Sequence, residues 1–503
     1  MKKRQYISLA LLVCLFVFTL AIAFGNATIA NEAPSVSVGS LKDQPTVEAV
    51  NFTKYTASGF LYNTVAELRA AYDLNPLYAR GLDGSGQTVV IVDAFGSPTI
   101  YQDLLSFITW QNSHGVNLPW TTMAEVQRHL RIYYPQGEPV FNASDPNQLS
   151  WSTEVTLDVD MVHAIAPGAN IALVIALNDS DSTMNYAVQY AVIRQLGCVI
   201  SQSWGDPEWD IAASGQSGFA YLMQANAVYA LAAQLHITVF ASAGDWGASS
   251  LSQYYISEPY NSPLFPASDP FVTAVGGTNL FMHCSNGYNE GTGSWNNETH
   301  TGISYYYEVA GNDYEAMVAD GYPYPSDIVT TGGAMSAFFP LPSWQRGITM
   351  TYANGTSFTP TMRCVSDVSF DSGVYGGLGA VPWSAATPGS PLYYIVGGTS
   401  AGSPFWSALT AVACQDAGHN LGYINPQLYE NRATLYSMGA FHDITTGDNT
   451  FPTGYTMPGY EATRGWDAPT GIGSPNAAIL VPQIVRLLRY QYHDSLHSSL
   501  QSK

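Results

Sequence analysis

The sequence predicts an α/β protein in which helices flank a doubly wound parallel sheet. Short, nearly all-apolar runs rich in β-branched residues are typical of buried parallel strands, and they recur at 89–92, 171–175, 198–201, 237–241 and 272–275. Two amphipathic stretches, 183–196 and 219–234, predict helices, the first ended by Gly197. The chain has 503 residues, 46 % of them hydrophobic, so it can bury a large core.

The N-terminus has the features of an export signal. Basic residues at 2–4 precede a charge-free, mostly apolar run at 7–24, and small residues follow it. We therefore expect a signal peptide over 1–30, a short pro-segment or linker over 31–57, and a secreted, extracellular protein. The run at 7–24 is also long enough to span a bilayer, so an uncleaved membrane anchor is an alternative.

Residues 58–488 are expected to form one large domain, followed by a polar C-terminal tail over 489–503. Within the domain, 285–335 interrupts the alternation of strands and helices. It is rich in Gly, Asn, Tyr and Thr and contains few aliphatic residues. We expect this segment to be a surface insertion that covers the domain; the alternative is that it shapes substrate access.

Four cysteines lie beyond the export segment: Cys198, Cys284, Cys364 and Cys414. Their wide spacing fits no zinc signature. Two disulfides are allowed, but the apolar surroundings of Cys198 and Cys414 favour a buried free thiol at each.

The charge balance argues against nucleic acid as a partner. The chain has 17 Lys and Arg against 38 Asp and Glu, and its formal net charge of −21 repels polyanions. Only 11 % of the residues are charged, so protonating the carboxylates leaves few positive charges to repel one another. The composition therefore favours a protein that works in an acidic medium.

The sharpest chemical signal is Ser400, in the sequence GGTSAGSP at 397–404. A helical run at 405–417 follows, and Pro404 fits the first turn, where no amide hydrogen is missed. A serine between a glycine turn and a helix start has an exposed hydroxyl beside a helix end that favours negative charge, as a nucleophile requires. The alternative is an ordinary helix cap.

Glu154 and Asp158 are the candidate base and its partner. They are four residues apart and therefore about 40° apart on a helix, so Asp158 reaches Glu154 on one face. Such a pair is commonly solvated surface. Here the surrounding residues are apolar and indicate partial burial: Val155, Leu157, Met161, Val162 and Ile165.

Asp245 lies between glycines just after the strand at 237–241, so we expect it at the carboxyl edge of the sheet, facing the mouth of a site. A carboxylic acid that stays protonated can donate a hydrogen bond to a developing oxyanion. The alternative is a turn without a chemical role.

His163 is a competing base, in a neutral Ser-His-Asp arrangement with Asp93. It lies nine residues beyond Glu154, about 180° round the same helix, which argues against a shared site. In acid, deprotonating a histidine also costs more than deprotonating a glutamate.

Glu154 with Asp158, then Asp245, then the segment 398–404, in that chain order, resembles the sedolisin family of serine-carboxyl peptidases. The resemblance implies a subtilisin-like α/β fold with a single large catalytic domain. It implies an acid-acting, serine-type endopeptidase or exopeptidase with protein or peptide substrates. Ser400 would be the nucleophile, Glu154 the base and acid, Asp158 its partner, and Asp245 a member of the oxyanion hole.

The resemblance also assigns a substrate groove to Ser203, Trp204 and Gly205. One feature differs from the family, whose members usually have a large folded propeptide. Here only the short segment 31–57 is expected between the signal peptide and the domain.

The family carries one calcium ion near the C-terminus, and this sequence matches its pattern. The carboxylates of Asp443 and Asp467 would bind the ion, together with the main-chain carbonyls of Ile444, Thr463 and Gly465. Oxygen ligands of this kind suit calcium. Thr463 stands where the family has glycine, but only its carbonyl is needed.

Three functions are therefore weighed from the sequence. The first is an exported acid peptidase that forms an acyl-enzyme at Ser400. The second is a neutral hydrolase that uses His163, and the third is an inactive secreted binding protein with the same fold. In each case we expect a monomer.

Overall fold

The structure, a computed structural model, describes residues 42–56, 62–250, 261–284, 302–319, 329–451 and 458–488. All of them fall within one structural unit, Ser40–Lys503. The predicted signal peptide at 1–30, residues 31–41 and 57 of the predicted pro-segment, and the tail at 489–503 lie outside the described residues. Within the described ranges, no helix has the length and apolar character needed to cross a membrane.

The strands are numbered along the chain. They are β1 (Gln44–Pro45), β2 (Glu48–Asn51), β3 (Thr88–Ala94), β4 (Leu130–Tyr133), β5 (Asn170–Ala176), β6 (Val199–Gln202), β7 (Trp204–Pro207), β8 (Thr238–Ser242), β9 (Leu264–Phe265), β10 (Thr273–Cys284), β11 (Gly302–Ala310), β12 (Met335–Pro340), β13 (Met350–Thr351), β14 (Ser357–Phe358), β15 (Met362–Cys364), β16 (Val368–Asp371), β17 (Leu378–Trp383), β18 (Leu392–Gly397), β19 (Phe441–His442) and β20 (Ser474–Pro475). The central sheet has the order β11-β10-β8-β6-β3-β5-β4, with β16 also paired to β10. Neighbouring strands of this sheet run parallel, except that β10 and β11 are antiparallel.

The helices are also numbered along the chain. They are α1 (Phe52–Thr56), α2 (Val65–Ala71), α3 (Asn75–Tyr78), α4 (Ile100–Ser113), α5 (Met123–His129), α6 (Pro146–Ile165), α7 (Asp181–Arg194), α8 (Glu208–Ala213), α9 (Gln216–Gln234), α10 (Asp313–Ala319), α11 (Gly402–Ala417) and α12 (Asn425–Ser437). Three short 3₁₀ turns lie at Gly247–Ser249, Ser343–Gln345 and Thr399–Ala401. Residues 477–488 are helical as well.

The predicted α/β architecture is confirmed. All five predicted strands lie in the central sheet, as β3, β5, β6, β8 and β10. The two predicted helices are α7 and α9, each of which begins two or three residues earlier than expected.

The end of α7 differs from the prediction. The helix is capped by Gln195 in the left-handed conformation, not by Gly197. Gly197 is needed for a different reason, because a β-carbon there would overlap the carbonyl oxygen of Thr88 on β3. The glycine lets the chain entering β6 approach its neighbouring strand.

Alternate residues of β3 enter two different hydrophobic cores, as expected for a sheet covered on both faces. Val89 and Ile91 pack in the core that contains residues of α6 and α11. Val90 and Val92 pack in the core that contains residues of α7 and α9. The double winding therefore buries α6, which carries two of the candidate catalytic residues, between the sheet and the remainder of its core.

The segment 285–335 was expected to be a surface insertion, and the structure describes it only at 302–319 and from 329 onward. Residues 302–310 form β11, an edge strand of the central sheet that pairs with β10. Glu308 on this strand is buried and accepts a hydrogen bond from the hydroxyl of Tyr72 at 2.7 Å. This strand is therefore part of the sheet and not a cover over it. The sequence did not indicate a strand here because the segment has few aliphatic residues, and the strand carries polar residues inward.

Cys198, Cys364 and Cys414 are free and buried. This agrees with the expectation for Cys198 and Cys414. The side chain of Cys284 lies outside the described residues.

Candidate active site

The candidate catalytic residues come from three separate parts of the chain. Glu154 and Asp158 lie in the middle of α6, which begins at the cap residue Asp145 with Pro146 in its first turn. Asp245 follows β8, and Ser400 lies in the 3₁₀ turn that leads into α11. The fold brings these groups together in a buried cluster, although the sequence separates Glu154 and Ser400 by 246 positions.

Ser400 is hydrogen-bonded to the predicted base. Its Oγ donates to Oε2 of Glu154 at 2.8 Å, and both side chains are buried. The alternative that Glu154 and Asp158 form a solvated pair is therefore wrong, because α6 is buried on all sides at this level.

Glu154 and Asp158 form a carboxyl pair, and a neighbouring serine fixes the orientation of Asp158. Ser203 Oγ donates to Oδ1 of Asp158 at 2.8 Å. Among the described residues, Oε1 of Glu154 and Oδ2 of Asp158 have no hydrogen-bond partner. A single proton held between the two carboxyls would satisfy both oxygens and leave Oε2 of Glu154 free to accept from Ser400.

The environment favours that shared proton. Burial raises the pKa of Glu154 well above its usual range, and the nearby carboxyls of Asp158 and Asp93 raise it further. Burial and Asp93 likewise raise the pKa of Asp158. Like charges this close cannot both ionise easily, so the pair titrates as a unit.

Asp93 is a buried carboxyl that the sequence pattern indicated only as a partner of His163. It lies near the end of β3, and neither of its oxygens has a hydrogen-bond partner within the described ranges. Burial raises its pKa to about 8. A carboxylate near the end of a buried parallel strand is the signal that identifies such a residue, since that edge of the sheet holds the site.

Asp245 has one occupied and one open oxygen. Its Oδ1 accepts hydrogen bonds from the backbone N–H of Thr399 at 2.7 Å and from the Thr399 hydroxyl at 2.8 Å. Its Oδ2 is buried and has no partner in the part of the chain that the structure describes. Burial raises the pKa of Asp245 to about 7, against the effect of the Thr399 bonds. Below that pH, Oδ2 carries a proton and can donate it in a hydrogen bond.

The turn that presents Ser400 requires glycine at position 398. Gly398 has a φ of +99°, and a β-carbon there would collide with Oδ2 of Asp245 and with the carbonyl oxygen of Thr46. The main chain at Gly398 therefore allows both oxygens to approach the nucleophile.

The residues expected to form a substrate groove lie beside Ser400, since Ser203 Oγ donates to the carbonyl oxygen of Ser400 at 3.3 Å. Ser203 precedes β7, which begins at Trp204 and Gly205 and pairs with β1. The indole N–H of Trp204 donates to the carbonyl of Val92 at 2.6 Å, which fixes the ring. The sequence did not predict that the N-terminal segment would pair with β7 here.

His163 is placed away from the nucleophile. Its Nε2 lies 3.2 Å from the carbonyl oxygen of Pro119, and its ring stacks on Trp120. Burial lowers its pKa to about 3, so the ring is neutral over most of the pH range. Ser400 Oγ contacts Glu154, so this geometry does not support the Ser-His-Asp alternative with His163 as base.

The expected calcium ligands lie on two adjacent loops. Asp443 accepts hydrogen bonds from the backbone N–H of Gly465, and Asp467 accepts one from the N–H of Thr463 at 3.0 Å. Burial raises the pKa of Asp467, and Asp443 raises it further, so the two carboxyls face one another closely enough to repel. Over the described residues, no cluster of three or more His, Cys, Asp or Glu side chains suitable for a metal is present. The donors are thus two carboxylates and main-chain oxygens, a set that a calcium ion fits.

Comparison with known proteins shows the family of the chain. The model of the subtilase family matches residues 141–435, which is more than half of the chain. The chain therefore belongs to the subtilase family, a family of serine-type peptidases. Its similarity to characterised relatives supports the sedolisin assignment.

Two of those relatives are bacterial. Kumamolisin of Bacillus sp. (strain MN-32) is 32 % identical over 405 residues, which cover 79 % of this chain and 60 % of kumamolisin. Sedolisin of Pseudomonas sp. (strain 101) is 30 % identical over 332 residues, which cover 65 % of this chain and 48 % of sedolisin. The chain thus spans about half to three fifths of the length of these relatives.

A solved structure supports the fold. Pseudomonas sedolisin, a serine-carboxyl proteinase complexed with two molecules of pseudo-iodotyrostatin, aligns with a TM-score of 0.63 at 24 % identity. The alignment covers 84 % of this chain and 98 % of that one. The subtilisin-like fold expected from the sequence is therefore confirmed.

Proposed function

We propose that this protein is a secreted, acid-acting serine-carboxyl peptidase that cleaves peptide bonds in proteins or peptides. The observation that carries the proposal is the 2.8 Å hydrogen bond from Ser400 Oγ to Glu154, inside a buried group of carboxyls. A histidine base is disfavoured because His163 bonds elsewhere. An inactive binding protein is disfavoured because the side chains expected for nucleophile, base, partner and oxyanion donor are all present and buried: Ser400, Glu154, Asp158 and Asp245.

Acylation begins with transfer of the Ser400 proton to Oε2 of Glu154. Ser400 Oγ then attacks the carbonyl carbon of the substrate, and negative charge develops on the carbonyl oxygen. Protonated Asp245 donates from Oδ2 to that oxygen, and one such donor is typically worth roughly 2.7–4 kcal/mol. Asp158 orients Glu154 through the hydrogen bond between their side chains.

The remaining steps complete acylation and then hydrolyse the ester. Glu154 gives its proton to the leaving amine, which departs and leaves an ester on Ser400. Water then attacks the ester and passes a proton to Glu154 while Asp245 again stabilises the oxyanion. Glu154 returns the proton to Ser400, and the carboxylic acid product leaves.

Two further parts of the proposal concern the rest of the chain. Residues 1–30 would direct export, and amino-terminal sequencing of the exported protein would test this by finding a start beyond residue 30. One calcium ion would be held by Asp443, Asp467 and the carbonyls of Ile444, Thr463 and Gly465, where it would neutralise two facing carboxylates. A chelator should then lower the melting temperature, and calcium should restore it; an unchanged value would contradict a bound ion.

The proposal is tested by the pH profile of hydrolysis of an unfolded protein substrate. Wild type should be active in acid, and Ser400→Ala should have no activity above background at any pH. Glu154→Gln is expected to lose about 10²–10⁴-fold while remaining folded by circular dichroism. A neutral optimum that depends on His163 would contradict the carboxyl mechanism.

A further inference from the structure

Three carboxyl groups lie close together beside the strand that follows Ser203. Asp206 lies on β7, Asp181 is the first residue of α7, and Asp179 lies in the loop between β5 and α7. All three side chains are buried. Burial raises the pKa of Asp206 well above its usual range, and the nearby carboxyl of Asp181 raises it further. We refer to Asp179, Asp181 and Asp206 as the acidic cluster.

The acidic cluster is only a few residues from the nucleophile along β7. Ser203 Oγ donates to the carbonyl oxygen of Ser400 at 3.3 Å, and Asp206 lies three residues after Ser203. Each residue of a strand advances the chain by about 3.3 Å, so the separation along the strand is roughly 10 Å. A peptide that lies at Ser400 and follows β7 therefore reaches the cluster within a few residues.

Several oxygens of the cluster lack a hydrogen-bond donor. Among the described residues, both oxygens of Asp181 and Oδ2 of Asp206 have no hydrogen-bond partner. Asp179 differs, because the amide of Asn147 donates to it at 2.8 Å and the ammonium of Lys42 lies 3.6 Å from it. A buried oxygen without a donor costs free energy of folding. The cluster therefore favours a ligand that brings both donors and positive charge.

The side chain of Asp43, from the residue before β1, points into the acidic cluster. It is buried, and neither of its oxygens has a hydrogen-bond partner in the part of the chain that the structure describes. Burial raises the pKa of Asp43 well above its usual range, and the carboxyls of Asp181, Asp206 and Asp179 raise it further. The space beside the cluster thus admits a side chain, but a fourth carboxyl gives the unpartnered oxygens no positive charge.

Aromatic side chains next to the cluster suit the stem of a long basic side chain. Phe265 of β9 lies opposite Asp206, and the ring of Tyr221 on α9 packs edge-on against it, with 5.5 Å between the ring centres. Burial raises the pKa of Tyr221 well above its usual range, and Asp43 and Asp181 raise it further, so its hydroxyl lies near these carboxyls. Lysine and arginine bury an apolar stem and present their charge to polar groups at its end.

The donors of a basic side chain match the cluster better than a metal ion does. Within the described ranges, no group of three His, Cys, Asp or Glu side chains is arranged to hold a metal. An ammonium or guanidinium group needs no complete coordination shell. It brings several N–H donors and a positive charge to carboxylates that are a few ångströms apart.

The register of β1 on β7 gives the position of the cluster along a bound peptide. Gln44 of β1 lies opposite Gly205 of β7. Two residues later, the hydroxyl of Thr46 lies 2.6 Å from Ser400 Oγ, whereas the side chain that points into the cluster belongs to Asp43. A peptide paired with β7 in this register therefore places in the cluster the side chain three residues before the one at Ser400.

We infer that the acidic cluster selects substrates with a lysine or arginine three residues before the residue whose carbonyl Ser400 attacks. This inference rests on the proposed function and gives it a substrate class. The basic group lies between Asp181 and Asp206, in the space beside the cluster, and donates to the oxygens that have no partner. A neutral or acidic side chain at this position leaves those oxygens unsatisfied, so the corresponding peptides are poorer substrates.

The selection is tested with four peptides that differ at one position, which holds lysine, arginine, norleucine or glutamate. Full-length protein is used at the pH where it hydrolyses an unfolded protein fastest, and mass spectrometry of the products identifies the bond that is cut. With the variable residue three positions before the cut, kcat/KM for lysine and arginine should exceed that for norleucine by about tenfold, since hydrogen bonds to charged groups are the stronger ones. A norleucine or glutamate peptide that is cut as fast as the lysine peptide overturns the inference.

Two variants and a matched control assign the preference to the cluster. Asp181→Asn and Asp206→Asn should each lower the ratio of kcat/KM for the lysine peptide to that for the norleucine peptide. Asp160→Asn also removes a buried carboxyl without a hydrogen-bond partner among the described residues, but this carboxyl faces Asp103, so the ratio should equal that of wild type. Circular dichroism checks that each variant is folded. The wild-type comparison tests the inference even where a variant fails to fold.

The outcomes separate the inference from the proposed function. If wild type cuts the four peptides equally well, or if both cluster variants keep the wild-type ratio, the inference fails and the proposed function stands. If wild type cuts neither the peptides nor an unfolded protein at any pH, both fail.

Discussion

At the scale of single residues, the site depends on carboxyl groups whose burial raises their pKa. Asp245 illustrates the effect, because the same side chain holds the turn at Thr399 through Oδ1 and has an Oδ2 without a hydrogen-bond partner among the described residues, which the proposed reaction uses. It can donate only while it is protonated, and its pKa of about 7 sets that limit. The surrounding protein thus gives an ordinary aspartate a role it does not have in water.

Asp245→Asn tests this role, because the amide is isosteric and always carries donor hydrogens. Wild-type kcat/KM should fall as pH rises through about 7, since Asp245 then loses its proton. In Asp245→Asn this fall should disappear, while Asp245→Ala should lose roughly 10²–10³-fold at all pH values. The pH profiles of the three proteins, measured with one substrate, decide the point. A fall near pH 7 that persists in Asp245→Asn would assign it to another group.

At the scale of elements, the site is made where the ends of strands and the starts of helices meet. The 3₁₀ turn at Thr399–Ala401 is held by Asp245 from one side and by the carbonyl of Ser372, which accepts from Gly398 N–H at 2.6 Å, from the other. The strands β7 and β18 beside this turn pair with β1 and β2, respectively. The catalytic turn is thus set between two strand edges.

Gly398→Ala separates close approach from backbone strain when it is compared with Gly389→Ala. Both glycines have a positive φ, +99° and +84°, so both variants are strained. Only at position 398 would the new β-carbon meet other groups, Thr46 and Asp245, since open space surrounds Gly389 among the described residues. Gly398→Ala should therefore lose peptidase activity, whereas Gly389→Ala should lose about 1 kcal/mol of stability at most and remain active. Equal activities in the two variants would contradict this geometry.

At the scale of the whole molecule, the fold buries many carboxyl groups, and this has a consequence for stability. Burial raises the pKa of Asp93 to about 8, of Asp181 and Asp269 to about 7, and of Asp313 to about 6. The folded protein therefore binds these protons more tightly than the unfolded chain, in which an aspartate titrates near 3.9. Stability is thus fully present in acid and is lost as pH rises from about 4 through 6–8.

The melting temperature should accordingly fall between about pH 5 and pH 8. Each pKa unit of each group is worth about 1.4 kcal/mol, and the buried neutral histidines, such as His163, oppose the trend only below about pH 6.5. The measurement is best made in Ser400→Ala, which cannot cleave itself. Adding Asp93→Asn should flatten the fall of melting temperature with pH, because asparagine does not titrate. The change breaks no hydrogen bond, since Asp93 has no partner within the described ranges. A melting temperature that rises steadily with pH would contradict the prediction.

The sequence by itself determined the type of sheet, its five predicted strands and the residues of the proposed reaction. The sequence periods that identify strands and helices are local. The predicted strands therefore agree within a few residues with the bounds of β3, β5, β6 and β8, whereas β10 is longer than predicted. The candidate catalytic residues were predicted from short patterns: a serine at a glycine turn, and carboxylates one helical turn apart. Such signals do not depend on where distant parts of the chain meet.

Only the tertiary structure decided what surrounds those residues. It brought Asp93 to the Glu154 and Asp158 pair, made β11 an edge strand, and returned residues 42–51 to the serine more than 350 positions away. Each of these contacts joins segments far apart in the chain, and no local period or composition encodes them. Their energies come from burial and from hydrogen bonds that exist only once the sheet has formed.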